Sequence, residues 1–398
     1  MNKQLSALFL SNLSILFVGF GVFPLLPVYA GRFGATPSMI GLYLALTYIA
    51  ISIGTMLPGW LSGRLSEKGL FVASGMLGVP ALVLLGRASE FWQVVVLTGI
   101  VWFTGGVGLA LISVFTGRSA APGQRGRWFG LIGLTTPLGA VIGGSVVAWL
   151  VQAQGYRAMF AALGWVYALW PLAGVLLVQY KPVVQITAAS PGHSSQGRPG
   201  RAFTLLILSV LLAAMTISIS RLGLSLTMRA GLFSPGAIAG TNVAGGLVTM
   251  PLVLGSGLLS DRVGRRLLLA FGYLLAALSA VLLLGAQQLW QFWIVSAAVL
   301  VARSLSASMA SALATDLLAP EVLGKALPRI TSMNWVAGVV GFAGSGYVIE
   351  VFGEKSLYWM ATLFSLAAAA VVGLALRRGE ARVMDARLSA APEGSSAD

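Results

Sequence analysis

Between Glu90 and Arg118 the chain carries no Asp, Glu, Lys or Arg. At a rise of about 1.5 Å per residue, a helix over that run outreaches the roughly 30 Å hydrocarbon core of a bilayer. Similar runs recur along the chain. Breaks at charges, proline and glycine delimit twelve of them: 8–30, 38–62, 70–87, 92–117, 127–150, 157–179, 203–228, 236–259, 267–286, 290–315, 326–349 and 356–376. Composition agrees, since 57% hydrophobic against 9% charged residues does not describe a soluble surface. The expected fold class is an all-α membrane protein of twelve transmembrane helices. The first run loosely resembles a secretory signal, but it exceeds a signal core and carries Pro24 and Pro27, so it reads as a membrane helix.

The chain has no cysteine, which removes disulfides, thiolate nucleophiles and Cys-based metal sites, and its one histidine, His193, lies in a polar stretch. We therefore expect no enzyme, no metal and no cofactor. The net charge of +14 could mark either nucleic-acid binding or membrane topology, and position decides between them. With the first span starting in the cytoplasm, cytoplasmic segments hold 18 Lys or Arg and the other side holds five: Arg32, Arg87, Arg157, Arg229 and Lys355. The positive-inside rule then puts both termini in the cytoplasm, in the plasma membrane, with no nucleic-acid partner.

Residues 181–202 form the longest polar stretch between spans, rich in Ser, Gly and Pro. It parts a first bundle of six spans, 1–180, from a second, 203–377, with a polar tail over 378–398. An ungapped offset of 198 aligns the two: Gly59 with Gly257, Leu61 with Leu259, Arg64 with Arg262, Trp92-Gln93 with Trp290-Gln291, and Gly143 with Gly341. Duplicated halves around a site at the bilayer midplane are a mark of secondary transporters.

The loop after the eighth span reads Gly257-Leu258-Leu259-Ser260-Asp261-Arg262-Val263-Gly264-Arg265-Arg266. It resembles the loop motif of the major facilitator superfamily. A degraded copy stands in the first half, with Gly59 and Arg64 kept, Gly63 in place of the Asp and Ser66 in place of the second Gly. The resemblance implies a cytoplasmic latch, in which Asp261 faces the N-terminal dipole of span five near Arg127 while the neighbouring arginines pair across the seam. It also implies that spans one, four, seven and ten line a central cavity. With Gly63 lacking a side chain, the equivalent latch at span eleven is expected to be missing. Drug antiporters of that family carry a Gly-Pro-x-x-Gly-Gly element in span five. Here Thr136-Pro137-Leu138-Gly139 and Gly143-Gly144 match it in part, as a hinge or as plain close packing.

Charges inside spans are costly and point to function. Arg303 lies mid-span, too deep to snorkel, and is read as a substrate residue, with a structural arginine held by Ser304, Ser306 and Ser308 as the other reading. Arg221 either joins it or snorkels toward Arg229. Trp102, Asn242, Asn334 and Trp335 complete the candidates for substrate contact, since amides bridge helices or ligands and indoles stack on flat solutes. No carboxylate is well placed at mid-depth, so the coupling ion stays open, a proton included. The expected function is export of small lipophilic or amphipathic compounds by alternating access, or else transport of a small organic anion bound by Arg303 and Arg221. The expected partners are a small-molecule substrate and the lipid bilayer, and the expected oligomeric state is a monomer.

Overall fold

The computed structural model describes residues 3–61, 64–120, 124–177, 201–318 and 320–375, and all regular structure among them is helical. Ten helices are long and apolar enough to cross a membrane. They are α1 Lys3–Phe33, α2 Pro37–Trp60, α3 Glu67–Leu85, α4 Phe91–Ser119, α5 Arg127–Val175, α6 Arg201–Ala230, α7 Pro235–Val263, α8 Arg265–Leu283, α9 Leu289–Leu317 and α10 Pro320–Ala370. Leu42, Leu77, Leu172, Leu267 and Leu363 stand exposed on their outer faces, a surface suited to lipid and not to water.

The helix starts follow from local chemistry. Thr36 and Ser234 each accept a hydrogen bond from the backbone N–H three residues on, and each precedes a proline whose fixed φ suits the first helical position. Glu90 with Gln93, and Gln288 with Gln291, form reciprocal capping boxes that open α4 and α9. Pro24 and Pro27 remove backbone donors within α1, and the helix tightens there into a 3-10 turn over Phe23–Leu25.

The sequence offset of 198 recurs in the backbone. It separates both ends of α3 from those of α8, both ends of α4 from those of α9, and the starts of α2 and α7. Four of the five described residues with positive φ obey it too, Gly264 being the exception. Gly34 at φ 74° has its counterpart in Leu232 at φ 59°, and Gly155 at φ 76° has its own in Gly353 at φ 81°. The last two glycines break the two longest helices, α5 and α10, at the places where the sequence reading ends one span and begins the next. A residue with a β-carbon is strained in that region, which explains glycine at both breaks.

The two parts of the chain meet along two seams related by the same offset. In one, α2 packs on α10: a methyl group built on Gly41 would lie 2.5 Å from the Phe342 carbonyl oxygen. In the other, α7 packs on α5, where one built on Gly144 would lie 3.4 Å from the carbonyl of Ala239. Further along these seams Glu350 accepts hydrogen bonds from the Ser38 amide at 3.0 Å and hydroxyl at 2.6 Å, and Gln152 abuts Gly236. Arg229 donates to the Gly31 carbonyl at 3.1 Å beside them. This end of the molecule is closed. Toward the other end Arg303, Ala307 and Thr331 line a chamber and stay exposed, so the interior is open on that side.

Candidate functional site

The interior holds two adjoining chambers, of about 100 Å³ and 190 Å³, which share Tyr48, Arg221, Arg303 and Trp335. The first is walled by Phe20 and Phe23 from α1, Trp102 and Gly105 from α4, and Tyr167 from α5. The second adds Ser218, Ser306 and Asn334. Helices α1, α4, α6 and α9, which are spans one, four, seven and ten of the sequence reading, all contribute, together with α2, α5 and α10.

The arginines are held by aromatic faces. The Arg221 guanidinium carbon sits 3.5 Å from the Phe23 ring centroid, and one nitrogen donates to the Tyr48 hydroxyl at 2.9 Å. Tyr48 is itself wedged edge-on between Phe342 at 4.9 Å and Trp335 at 5.6 Å. Arg303 stands 5.5 Å from the Phe20 centroid. Among the described residues no carboxylate lines either chamber and none hydrogen-bonds the Arg303 guanidinium. A cation facing a quadrupole keeps its charge with few bonds of its own, which leaves guanidinium N–H groups free for a ligand.

Of the residues singled out in the sequence, Arg303, Arg221, Trp102, Trp335 and Asn334 line these chambers. Arg221 therefore turns inward and does not snorkel. Asn334 also donates to the Ile330 carbonyl at 3.1 Å on its own helix. Asn242 sits apart, in a pocket of about 20 Å³ with Arg221 and Ser225, and donates to the Phe20 carbonyl at 2.6 Å. It fastens α7 to α1. Sequence reasoning missed Tyr48, Phe20 and Phe23; the run of hydroxyl residues Tyr43, Thr47, Tyr48, Ser52 and Thr55 in the second span was the one visible signal.

The loop motif fares differently residue by residue. Gly264 joins α7 to α8 at φ 93°, which accounts for its glycine. Arg262 and Arg64 are exposed, and Gly59 faces open space on α2. With the seam open at this end, Arg265 pairs within its own half of the chain. It binds Asp316 at 2.6 Å and the Ala312 carbonyl at 3.2 Å, both at the C-terminal end of neighbouring α9, where an acid and free carbonyls offer a nearer partner. The side chains of Gly257 and Asp261 and residue Gly63, with the latch assigned to them, lie outside the described residues. The partial span-five element is both hinge-like and tightly packed. A π-helical turn runs over Gly139–Gly143, and a methyl on Gly139 would lie 2.9 Å from the Leu16 carbonyl carbon.

The family model of the Major Facilitator Superfamily matches residues 8–255 and 203–393. The chain is 23% identical over 386 residues to the multidrug resistance protein MdtG of Enterobacter lignolyticus (strain SCF1), covering 92% of this chain and 90% of that one. It is 29% identical over 154 residues to the multidrug resistance protein MdtH of Salmonella choleraesuis (strain SC-B67), 36% of each chain. Among solved structures, the POT family transporter PepTSo superposes with a TM-score of 0.77 at 11% identity, over 96% of this chain and 99% of that one. The nucleoside transporter NupG superposes with 0.73 at 17% identity, over 94% and 98%. At such identities these structures speak for the fold.

Proposed function

The chain belongs to the major facilitator superfamily, so it is a membrane transporter and not an enzyme, and on that premise we propose that it exports small amphipathic compounds bearing an anionic group. The carrying observation is the make-up of the cavity wall: aromatic rings, most of them from the first half, and against them two arginines from the second half that no described carboxylate neutralises. An apolar body gains by burial against the rings, while a carboxylate or phosphonate gains charge-assisted hydrogen bonds from planar guanidiniums. A lipophilic cation entering the same chamber meets two like charges. Export, as against uptake, is supported by the multidrug resistance relatives.

The reading carries an architecture with it. A straight helix as long as α10 would reach about 75 Å, more than twice the roughly 30 Å core, so each of α5 and α10 turns at its broken glycine and crosses twice. That gives twelve crossings in two six-helix bundles, residues 1–180 and 203–377, joined by 181–202 and rocking about the cavity by alternating access. With both termini cytoplasmic, the closed end faces outward and the open end faces the cytoplasm.

Thermal unfolding of detergent-purified protein tests the site, because a ligand that binds only the folded state raises its stability. Wild type and Arg303→Ala are compared against octylphosphonate, decanoate, a lipophilic quaternary ammonium and a neutral alkyl glycoside. We expect the two anions to stabilise the wild type and to lose that effect in the variant. Stabilisation of both proteins by the ammonium or the glycoside, with none by the anions, overturns the anionic part of the reading and leaves Arg303 as a structural residue.

A further inference from the structure

In a chain built from two similar parts 198 residues apart, a residue that touches its own counterpart marks the pseudo-twofold axis relating them. Two such contacts stand out among the described residues. Phe23 stacks on Arg221, and Gly31 accepts from Arg229. The line through them runs from the central chambers to the closed end. On α6 the two arginines are eight residues apart, about 12 Å at 1.5 Å per residue, with Ser225 one turn from each. A chain of sites along this line starts in the cavity at Arg303 and Arg221, passes the small pocket holding Ser225, and ends at Arg229 on the outer surface.

The local fit at the mouth is close. The Arg229 guanidinium fills the space where any side chain on residue 31 would stand, so Gly31 is the socket of this contact. The bond is to a single carbonyl, and the side chain is otherwise exposed, which makes it breakable at little cost.

We propose that Arg229 is the outer gate of the transport path: it closes the axial mouth by capping the Gly31 carbonyl and, when displaced, offers its guanidinium to an outgoing anion, passing anions in preference to cations. The anionic part rests on the reading of the cavity given above; the gating part does not. A departing carboxylate or phosphonate outcompetes a neutral carbonyl for the guanidinium, so the ligand itself unlatches the mouth. A departing cation has no such exchange to offer.

The chain has no cysteine, so a single Ser225→Cys provides a unique reporter one turn inside the gate. Intact cells are treated from outside with two impermeant methanethiosulfonates of similar size, the anionic sulfonatoethyl and the cationic trimethylammonioethyl reagents. With Arg229 in place we expect slow labelling, several-fold faster for the anionic reagent. In Arg229→Ala both rates rise about tenfold or more and the preference disappears. Gly31→Ala pushes the guanidinium off its socket but keeps its charge, so labelling accelerates while the preference persists; Arg229→Lys behaves likewise. Unchanged labelling in Arg229→Ala, or no anionic preference when Arg229 is present, overturns the proposal. Each variant is also checked by its unfolding midpoint, so loss of fold is not mistaken for an open gate. Failure of the cavity reading shows separately, as absence of octylphosphonate stabilisation in wild type.

Discussion

Arg303 and its counterpart Gly105 line the same chamber, as do Arg221 and its counterpart Phe23. The second half of the chain thus supplies both cationic groups of the cavity, and the first half supplies Phe20, Phe23, Tyr48, Trp102 and Tyr167. One backbone plan, repeated, carries two chemistries. Duplication explains why the helices match in length and capping, while divergence at a few inward positions produces a site in which cations of one half lie against aromatic faces of the other. A site made symmetric in either sense would accept a different solute: two aromatic walls would favour neutral lipophiles, and two cationic walls would favour small polyanions.

The largest effect expected from breaking this division is on binding. Arg221→Ala and Arg303→Ala each remove a charge-assisted contact worth about 1.5–3 kcal/mol, and so weaken octylphosphonate binding roughly ten- to a hundredfold. Isothermal titration of purified protein reads this directly. Arg221→Lys keeps the charge but loses the planar stack on Phe23 and the aligned bond to Tyr48, so it should recover only part of the loss. Full recovery would make Arg221 a mere point charge and weaken the case for aromatic positioning.

Second in size is the effect of crowding a seam. Gly41→Ala places a methyl against the Phe342 backbone, whereas the counterpart of Gly41 in the second half, Ala239, already carries one. The difference sharpens the comparison, because only the α2–α10 seam depends on glycine at that position. Forced overpacking should cost about 1–3 kcal/mol and lower the unfolding midpoint of Gly41→Ala, with Ala239→Gly changing it far less. Equal shifts in the two variants would show that the seams are packed alike after all.

Much of the skeleton was legible in the sequence because its signals are local. Charges, proline and glycine at the ends of apolar runs mark where spans stop, and a charge within such a run, as at Arg221 and Arg303, stands out without a structure. What was not legible depends on which side of a helix faces inward. In a membrane helix the lipid face and the protein face are both apolar, so hydrophobic periodicity does not separate them, and Phe20, Phe23 and Tyr48 could not be told from packing residues. Arg229 was counted only as a topology charge, because its contact with Gly31 joins positions far apart in the chain. The Asp316 partner of Arg265 was not foreseen for a similar reason, since the two stand 51 residues apart on adjacent helices.

The two seams also differ at the closed end. Glu350 binds the start of α2 through Ser38, while its counterpart Gln152 faces Gly236 without a charge. A carboxylate at a helix N-terminus is favoured by free N–H groups and the helix dipole. Glu350→Gln should therefore loosen this end and raise external labelling of Ser225→Cys a few-fold, less than Arg229→Ala does. Gln152→Ala should leave the rate close to wild type. If the two substitutions act alike, the carboxylate adds nothing that a neutral amide does not.

At the open end each half holds an ion pair at matching positions, with the signs exchanged. Glu67 on α3 pairs with Arg118 on α4 at 2.5 Å; at the corresponding positions Arg265 on α8 pairs with Asp316 on α9 at 2.6 Å. All four side chains are partly exposed, so each pair is worth no more than about 1 kcal/mol. The exchange shows that the fold needs a bond between these helix ends and not a given polarity. Copying the second half onto the first tests this: Glu67→Arg alone sets two arginines together and should lower the unfolding midpoint slightly, and adding Arg118→Asp should restore it. The N-terminal position of residue 67 complicates the expectation in a useful way, because an acid there also meets the helix dipole, which an arginine opposes. Restoration should for that reason be incomplete by a few tenths of a kcal/mol, whereas the reverse exchange in the second half, Arg265→Glu with Asp316→Arg, puts an acid at the start of α8 and a base at the end of α9 and should slightly exceed wild type. A double variant no better than its single would mean that the polarity is fixed by something beyond the pair itself, with the charge balance of the open seam the first place to look.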